Sequence, residues 1–203
     1  MPFDALIALL GIQLAAAWTP GPNNMMLAAS GVNYGLRATA PHILGVAIGF
    51  GFMIFSIGLG LGEVFSRYPV LHTVLRWGGA AMLVWVAWKI AIAKRPGEAG
   101  ADTKPFTFVQ AAAFQWINPK ALIMCISISA QFMDPARPVL TAAIIGVVSM
   151  LGGITSASGW AWFGVVLQRW LNTPVRLKAF NWTMAGVILL GVMVVLVSGF
   201  GEA

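Results

Sequence analysis

Two short stretches hold the residues of this chain that could do chemistry. Trp18-Thr19-Pro20-Gly21-Pro22-Asn23, with Asn24 following, interrupts one long apolar run, and Gln115-Trp116-Ile117-Asn118-Pro119-Lys120 interrupts another. Proline lacks a backbone N–H and clashes with the preceding turn, so Pro20 and Pro119 should end or kink a helix. Gly21 admits dihedrals that other residues resist. Thr19 before Pro20 and Asn118 before Pro119 each set an N-cap residue ahead of a proline at the first helical position, which is the signature of a helix start. A half-helix is therefore expected to begin at each break.

A helix start carries free N–H groups and about half a positive charge. Two such ends facing one cavity would attract a carboxylate, and Lys120 would add a full charge in the same place. A lysine at mid-membrane costs roughly 2.5–3.5 kcal/mol on insertion scales, so it is expected to line a cavity or hold a partner. Carbonyls freed on the other side of each break, with Asn23, Asn24 and Gln115, could hold an ammonium group. Trp18 and Trp116 could add cation–π contacts, although plain packing is the commoner use of each. An amphoteric small molecule suits this chemistry. The substrate-binding or transport-path residues are then Thr19, Pro20, Gly21, Pro22, Asn23, Asn24, Gln115, Asn118, Pro119 and Lys120. The plain alternative is two ordinary proline kinks, with Asn and Thr tying up stray backbone groups and Lys120 snorkelling to an interface. Two breaks paired across the halves of the chain, one of them carrying a lysine, argue against it.

The elements that must position these residues are membrane spans. The 203 residues are 59% hydrophobic and 9% charged, with a mean hydropathy of +0.85, whereas a soluble domain carries about 25% charged residues. A span needs roughly 20 apolar residues to cross a hydrocarbon core of about 30 Å. Six apolar runs fit, at roughly 4–31, 39–64, 70–93, 106–132, 139–167 and 179–200. They are separated at Asn33 to Arg37, Ser66 to Pro69, Lys94 to Lys104, Asp134 to Pro138 and Asn172 to Pro174. The expected fold class is an all-α membrane protein of six transmembrane helices, the first and fourth broken. It reads as a single transmembrane domain over 1–203, with a three-span repeat at about 1–93, a cytoplasmic loop at about 94–105 and a second repeat at about 106–203. Three is odd, so the second repeat must insert upside down. Inverted repeats with an interrupted helix in each half place a substrate site near the midplane.

The formal net charge is +6. The basic residues sit in the connections rather than among aromatics on a polar face, which points to a lipid bilayer as partner and to no nucleic acid. Arg37, Lys89, Lys94, Arg95, Lys104, Arg169, Arg176 and Lys178 flank connections 1–2, 3–4 and 5–6, against Arg67, Arg76 and Arg137 on the other side. Eight against three places those connections in the cytoplasm and both termini outside. Ala5 to Leu14 has the length of a signal-peptide core, but Asp4 and no basic residue precede it, and cleavage would cut a span that continues to Ser30, so the segment is expected to be retained. Small residues four apart, Gly45 with Gly49, Gly58 with Gly62 and Ser149 with Gly153, predict close helix packing. The lone Cys125 can form no intrachain disulfide. There is no His-Glu-x-x-His pair, no metal-ligand cluster and no nucleophile with a base at helical spacing. No catalytic residue, metal or cofactor is therefore expected, which sets aside an intramembrane enzyme. A homo-oligomer is compatible with the sequence.

The same residues resemble the lysine exporter superfamily (LysE/RhtB type) of bacterial amino-acid exporters. The matches are Thr19-Pro20-Gly21-Pro22, Gly35-Leu36-Arg37, Arg76-Trp77-Gly78-Gly79-Ala80, Asn118-Pro119-Lys120-Ala121 and Gln131-Phe132, spread over essentially the whole chain. The chain departs from the pattern near Trp88-Lys89, where a small residue is expected. The resemblance implies a secondary transporter that exports amino acids or related amphoteric metabolites across the bacterial plasma (inner) membrane, by proton antiport with alternating access. It marks Pro20, Gly21, Pro22, Asn118, Pro119 and Lys120 as the core of the path. Asp4, Glu63, His42, His72 and Lys120 remain open as the proton carrier, and the particular amino acid remains open too. The alternative is a non-transporting membrane bundle acting as an assembly or sensor subunit. The absence of an added soluble domain counts against that, and no repeated filter motif suggests a channel.

Overall fold

The computed structural model describes residues 1–61, 67–94 and 104–198. Gly62, Glu63, Ser66, Arg95, Glu98, Asp102 and Glu202, and the side chains of His72 and Arg76, lie outside the described residues. Among those described, the regular structure is entirely helical: α1 (Phe3–Trp18), α2 (Pro22–Ser56) running into a π-helical turn (Ile57–Leu61), α3 (Pro69–Ala91), α4 (Phe108–Gln115), α5 (Pro119–Phe132), α6 (Pro138–Gln168) and α7 (Pro174–Ser198). Five of the seven begin on proline, whose missing N–H costs nothing at the first helical position and whose fixed φ suits the helix.

Helix α2 is two arms. Gly35 has φ 79° and ψ 169°, a region open in practice to glycine alone, so the chain folds back between residues 22–34 and 36–56. This is the break expected at Asn33 to Arg37. Ser30 and Thr39 share a hydroxyl hydrogen bond of 2.9 Å across the turn, and Thr39 Oγ1 donates to the Gly35 carbonyl at 2.8 Å. Three stretches are long and apolar enough to cross a membrane: Pro22–Leu61, Pro138–Gln168 and Pro174–Met193. Phe108–Gln115 and Pro119–Phe132 qualify together as one stretch bent by 59°, while Phe3–Trp18 and Trp77–Ala91 are shorter apolar helices.

Small residues set the close contacts and with them the helix directions. A Cβ on Gly152 would meet Gln13, Ser156 Oγ donates to the Ala17 carbonyl, and a Cβ on Gly164 would strike Ala28 and Val32. The residue numbers rise together, so α1 and the first arm of α2 run parallel to α6. On the second arm they run opposite: Ala47 abuts Gly153 and Gly51 abuts Gly146. Gly45 abuts Phe108 and Gly49 abuts Ala112, so the second arm and α4 are parallel. Asn33 bonds Asn181 at 3.1 Å while Pro22 lies beside Gly191, which sets α7 antiparallel to the first arm.

Inside, Met25, Met26, Leu83, Phe114 and Ile188 form the main apolar cluster. Outside, Phe52, Ile123, Trp162 and Leu190 are each more than half exposed. Such a coat of large apolar side chains is far beyond the few hundred Å² a soluble monomer tolerates.

Candidate functional site

The first break is made by two prolines in competition. Helix α1 stops at Trp18, and Thr19 caps its end, with both its N–H and its Oγ1 donating to the Ala15 carbonyl at 3.2 and 2.7 Å. Pro20 belongs to neither helix. Gly21 is fully extended (φ −175°, ψ 175°) and serves as N-cap, and Pro22 is the first residue of α2. The start expected at Thr19-Pro20 thus lies two residues later. The cause is Pro22, whose ring disfavours helical dihedrals in the residue before it; Gly21 cannot join a helix begun at Pro20.

The second break is as the sequence predicts. Helix α4 opens with a capping box between Thr107 and Gln110 and ends at Gln115. The chain then tightens, Ile117 N–H and Asn118 N–H both donating to the Phe114 carbonyl at 3.2 and 3.0 Å. Asn118 caps α5, its Oδ1 accepting from the Lys120 N–H at 3.2 Å, with Pro119 at the first helical position.

The two new helix starts open onto one cavity of about 60 Å³, room for about four waters at roughly 15 Å³ each. Gly21, Asn23 and Asn24 line it from the start of α2, Asn118, Lys120 and Ala121 from the start of α5, and Gln115 from the end of α4. Two bonds tie the breaks together. Lys120 Nζ donates to the Thr19 carbonyl at 2.6 Å, and Asn23 Nδ2 donates to Gln115 Oε1 at 2.8 Å. The Lys120 stem lies over Gly21, where a Cβ would come within 3.0 Å of Lys120 Cδ. Carbonyls freed by the first break already have donors in this conformation: Ala17 receives Asn24 Nδ2 at 2.9 Å and Ser156 Oγ at 2.7 Å, and Thr19 receives Asn24 Nδ2 at 2.9 Å beside Lys120. The Lys120 ammonium thus sits where the ammonium of a solute would otherwise find an acceptor.

The expected residues divide. Gly21, Asn23, Asn24, Gln115, Asn118 and Lys120 line the cavity. Thr19 gives only its carbonyl, Pro20 is exposed, and Pro22 and Pro119 act by starting helices rather than by facing the cavity. Trp18 packs on Gly159 and Trp116 stands edge-on to Phe52 at 6.4 Å, and neither lines the cavity. Sequence reasoning missed Gln13. It is buried in the cavity wall and neither its Oε1 nor its Nε2 has a partner; Asn23 Oδ1 is likewise unpaired. A buried amide without partners costs about 1–3 kcal/mol, so its place in the wall needs a reason. The only signal for it was a single amide in an apolar run.

This geometry offers N–H groups and an ammonium for a carboxylate, and amide oxygens for an amino group. Residues 14–199 match the family model described as LysE type translocator. The chain belongs to the LysE-type translocator family. A homoserine/homoserine lactone efflux protein of Salmonella typhi is 28% identical over 195 residues, which cover 94% of this chain and 95% of that protein. A cysteine/O-acetylserine efflux protein of Escherichia coli O1:K1 / APEC is 32% identical over 167 residues, covering 81% and 84%. No solved structure matches. This LysE-type chain is accordingly a transporter and not an enzyme, and with its apolar helices it is a multi-pass membrane protein.

Proposed function

We propose that this LysE-type protein exports amino acids or closely related amphoteric metabolites across the bacterial plasma membrane, by alternating access and in exchange for protons. The observation that carries the reading is the convergence of two proline-started helices on one cavity, bridged by Lys120 to the Thr19 carbonyl and by Asn23 to Gln115. The cargo carboxylate displaces no side-chain cap at the start of α2, where Gly21 leaves the N–H groups and the positive dipole end open to an anion, and it competes with Asn118 Oδ1 for the Lys120 N–H at the start of α5. Its ammonium replaces that of Lys120 on the Thr19 carbonyl, and Lys120 turns to the carboxylate. Thr19, Pro20, Gly21, Pro22, Asn23, Asn24, Gln115, Asn118, Pro119 and Lys120 form the path, with Gln13 as an added wall. The names of the relatives, efflux proteins for homoserine and its lactone and for cysteine and O-acetylserine, support small amino acids and their derivatives as cargo.

The architecture belonging to this reading is six spans in two inverted repeats, at about 1–93 and 106–203 of a single domain. Span one is α1 with the first arm of α2, span two is the second arm, and α3 is span three. The bent pair α4 and α5 is span four, with α6 and α7 as spans five and six. The helix directions support it: span five runs with span one, and spans two, four and six run against it. The basic bias of the connections supports cytoplasmic 1–2, 3–4 and 5–6 connections and outward termini.

Proteoliposomes loaded with a panel of radiolabelled amino acids test the function. Efflux should be lost in Asn118→Ala and in Lys120→Ala while the protein remains folded and inserted. Unchanged efflux in both variants refutes the site, and efflux indifferent to an imposed pH gradient removes the proton exchange.

A further inference from the structure

A second cavity, of about 50 Å³, lies further along the same helices. Met26, Ser30 and Asn33 line it from the first arm of α2, His42 from the second arm, Lys89 from the end of α3 and Lys104 from the approach to α4. It sits beside the Gly35 turn, at the end of the bundle where the basic connections gather. His42 is only 2% exposed, packs against Phe106 at 5.4 Å, and neither ring nitrogen has a partner. Burying a ring nitrogen without a hydrogen bond is costly, and a cavity wall is where such a group is left open for a ligand. Lys89 holds its ammonium 4.7 Å over the Trp85 ring, so among the described residues an aromatic face stands against the charge. Among the described residues, no Asp or Glu lines the cavity.

Asn23, Met26, Ser30 and Asn33 recur at intervals of three and four residues, so they lie on one face of the first arm. Asn23 belongs to the break cavity, while Ser30 and Asn33 belong to the second one. From Asn24 to Ser30 is about 9 Å along a helix at 1.5 Å per residue. The arm's own residues between them, Met25 to Ala29, are all apolar, and Met26 is buried in the main cluster with Phe114. Two mainly apolar cavities, each with a few polar side chains in its wall, therefore stand in series along one helix face with Met26 between their polar groups.

We propose that the second cavity is an entry vestibule that binds the carboxylate of the cargo, between the Lys89 and Lys104 ammonium groups and a His42 ring N–H, before the cargo passes Met26 to the break cavity. The remaining wall, including Ala29, Val86 and Ile90, is apolar, which suits a small carboxylate with a short uncharged remainder. The inference rests on the exporter reading for its cargo.

The test needs no transport. In a Cys125→Ala background, Ala93→Cys puts a thiol in the vestibule wall. Its rates with the anionic sulfonatoethyl and the cationic trimethylammonioethyl methanethiosulfonates are measured and normalised to those of free mercaptoethanol. The anionic reagent should be favoured roughly tenfold or more, as a cleft focusing one sign of charge requires. Lys89→Gln with Lys104→Gln should abolish that preference. L-homoserine should protect the thiol, whereas 3-aminopropan-1-ol, which lacks the carboxylate, should not. No reaction, no charge preference, or equal protection by both compounds overturns the vestibule. Loss of labelling in phosphatidylglycerol vesicles but not in phosphatidylcholine makes it a lipid headgroup site, and also overturns it. If the labelling pattern holds while no amino acid is exported, the exporter reading falls and the carboxylate site stands. If amino acids are exported while the labelling pattern fails, the vestibule falls and the exporter reading stands.

Discussion

The Lys120 ammonium reaches across 101 residues of sequence to the carbonyl oxygen of Thr19, at 2.6 Å. One end of this bond is the start of α5 and the other is the end of α1, so with the Asn23–Gln115 bond it closes the gap between two broken helices. A carbonyl dipole is a weaker partner than a carboxylate, and the bond can be exchanged for a ligand. Lys120→Met keeps the apolar stem and removes the charge. Loss of a charge-assisted hydrogen bond worth about 1.5–3 kcal/mol should raise the KM for efflux roughly 10- to 100-fold. An unchanged KM in proteoliposomes would remove Lys120 from the binding step.

Gly21→Ala separates space from backbone strain. With φ at −175° any residue fits the backbone, but the new methyl would crowd the Lys120 stem, 3.0 Å from its Cδ and 3.3 Å from its Nζ. The flexible side chain must move. Thermal stability in detergent should stay near that of the parent while efflux falls several-fold. Full efflux would show that the position of the Lys120 stem does not matter.

Gln13→Leu should do the opposite of most core substitutions. It removes two unpaired polar atoms from a buried wall, so the protein should gain about 1–2 kcal/mol of stability and lose cargo affinity. Chemical denaturation followed by intrinsic fluorescence reads the first effect and efflux kinetics the second. A variant that is both less stable and fully active contradicts the assignment.

Gly35→Ala is a test of the turn between the arms of α2. Nothing lies within 4 Å of the added methyl, so the effect is strain alone, at φ 79°. The expected loss is about 1–3 kcal/mol, measured by unfolding. A neutral substitution would mean that the turn relaxes to a conformation other than this one.

Topology has a direct readout. With Cys125 replaced by Ala, Gly100→Cys in the central connection should resist an impermeant thiol reagent added to intact cells and react after the cells are opened. Labelling from outside would reverse the orientation.

Most of the helix boundaries and the second break were legible because local chemistry decides them. Asn118 followed by Pro119 offers a capped helix start, and the bond from the Lys120 N–H to Asn118 Oδ1 makes it one. The first break was legible in kind but shifted by two residues, because Pro20 and Pro22 both offer a start and the decision falls to Gly21, the residue caught between them. Gln13 was not legible: whether an amide in an apolar run faces lipid, core or cavity depends on which helices pack around it. The vestibule was hidden for a related reason. Ser30, His42, Lys89 and Lys104 are spread over four segments, and nothing local says that they meet.

Along the seam between the first arm of α2 and α6, Gly31 meets the Ala161 carbonyl and Gly164 meets the Ala28 carbonyl, backbone against backbone with no side chain between. Two rods zipped this tightly have no slack for sliding or tilting, and must travel as one plank. On the exporter reading, the swing that lets a solute enter and leave falls to the opposite wall, where the Lys120–Thr19 and Asn23–Gln115 bonds can both be exchanged.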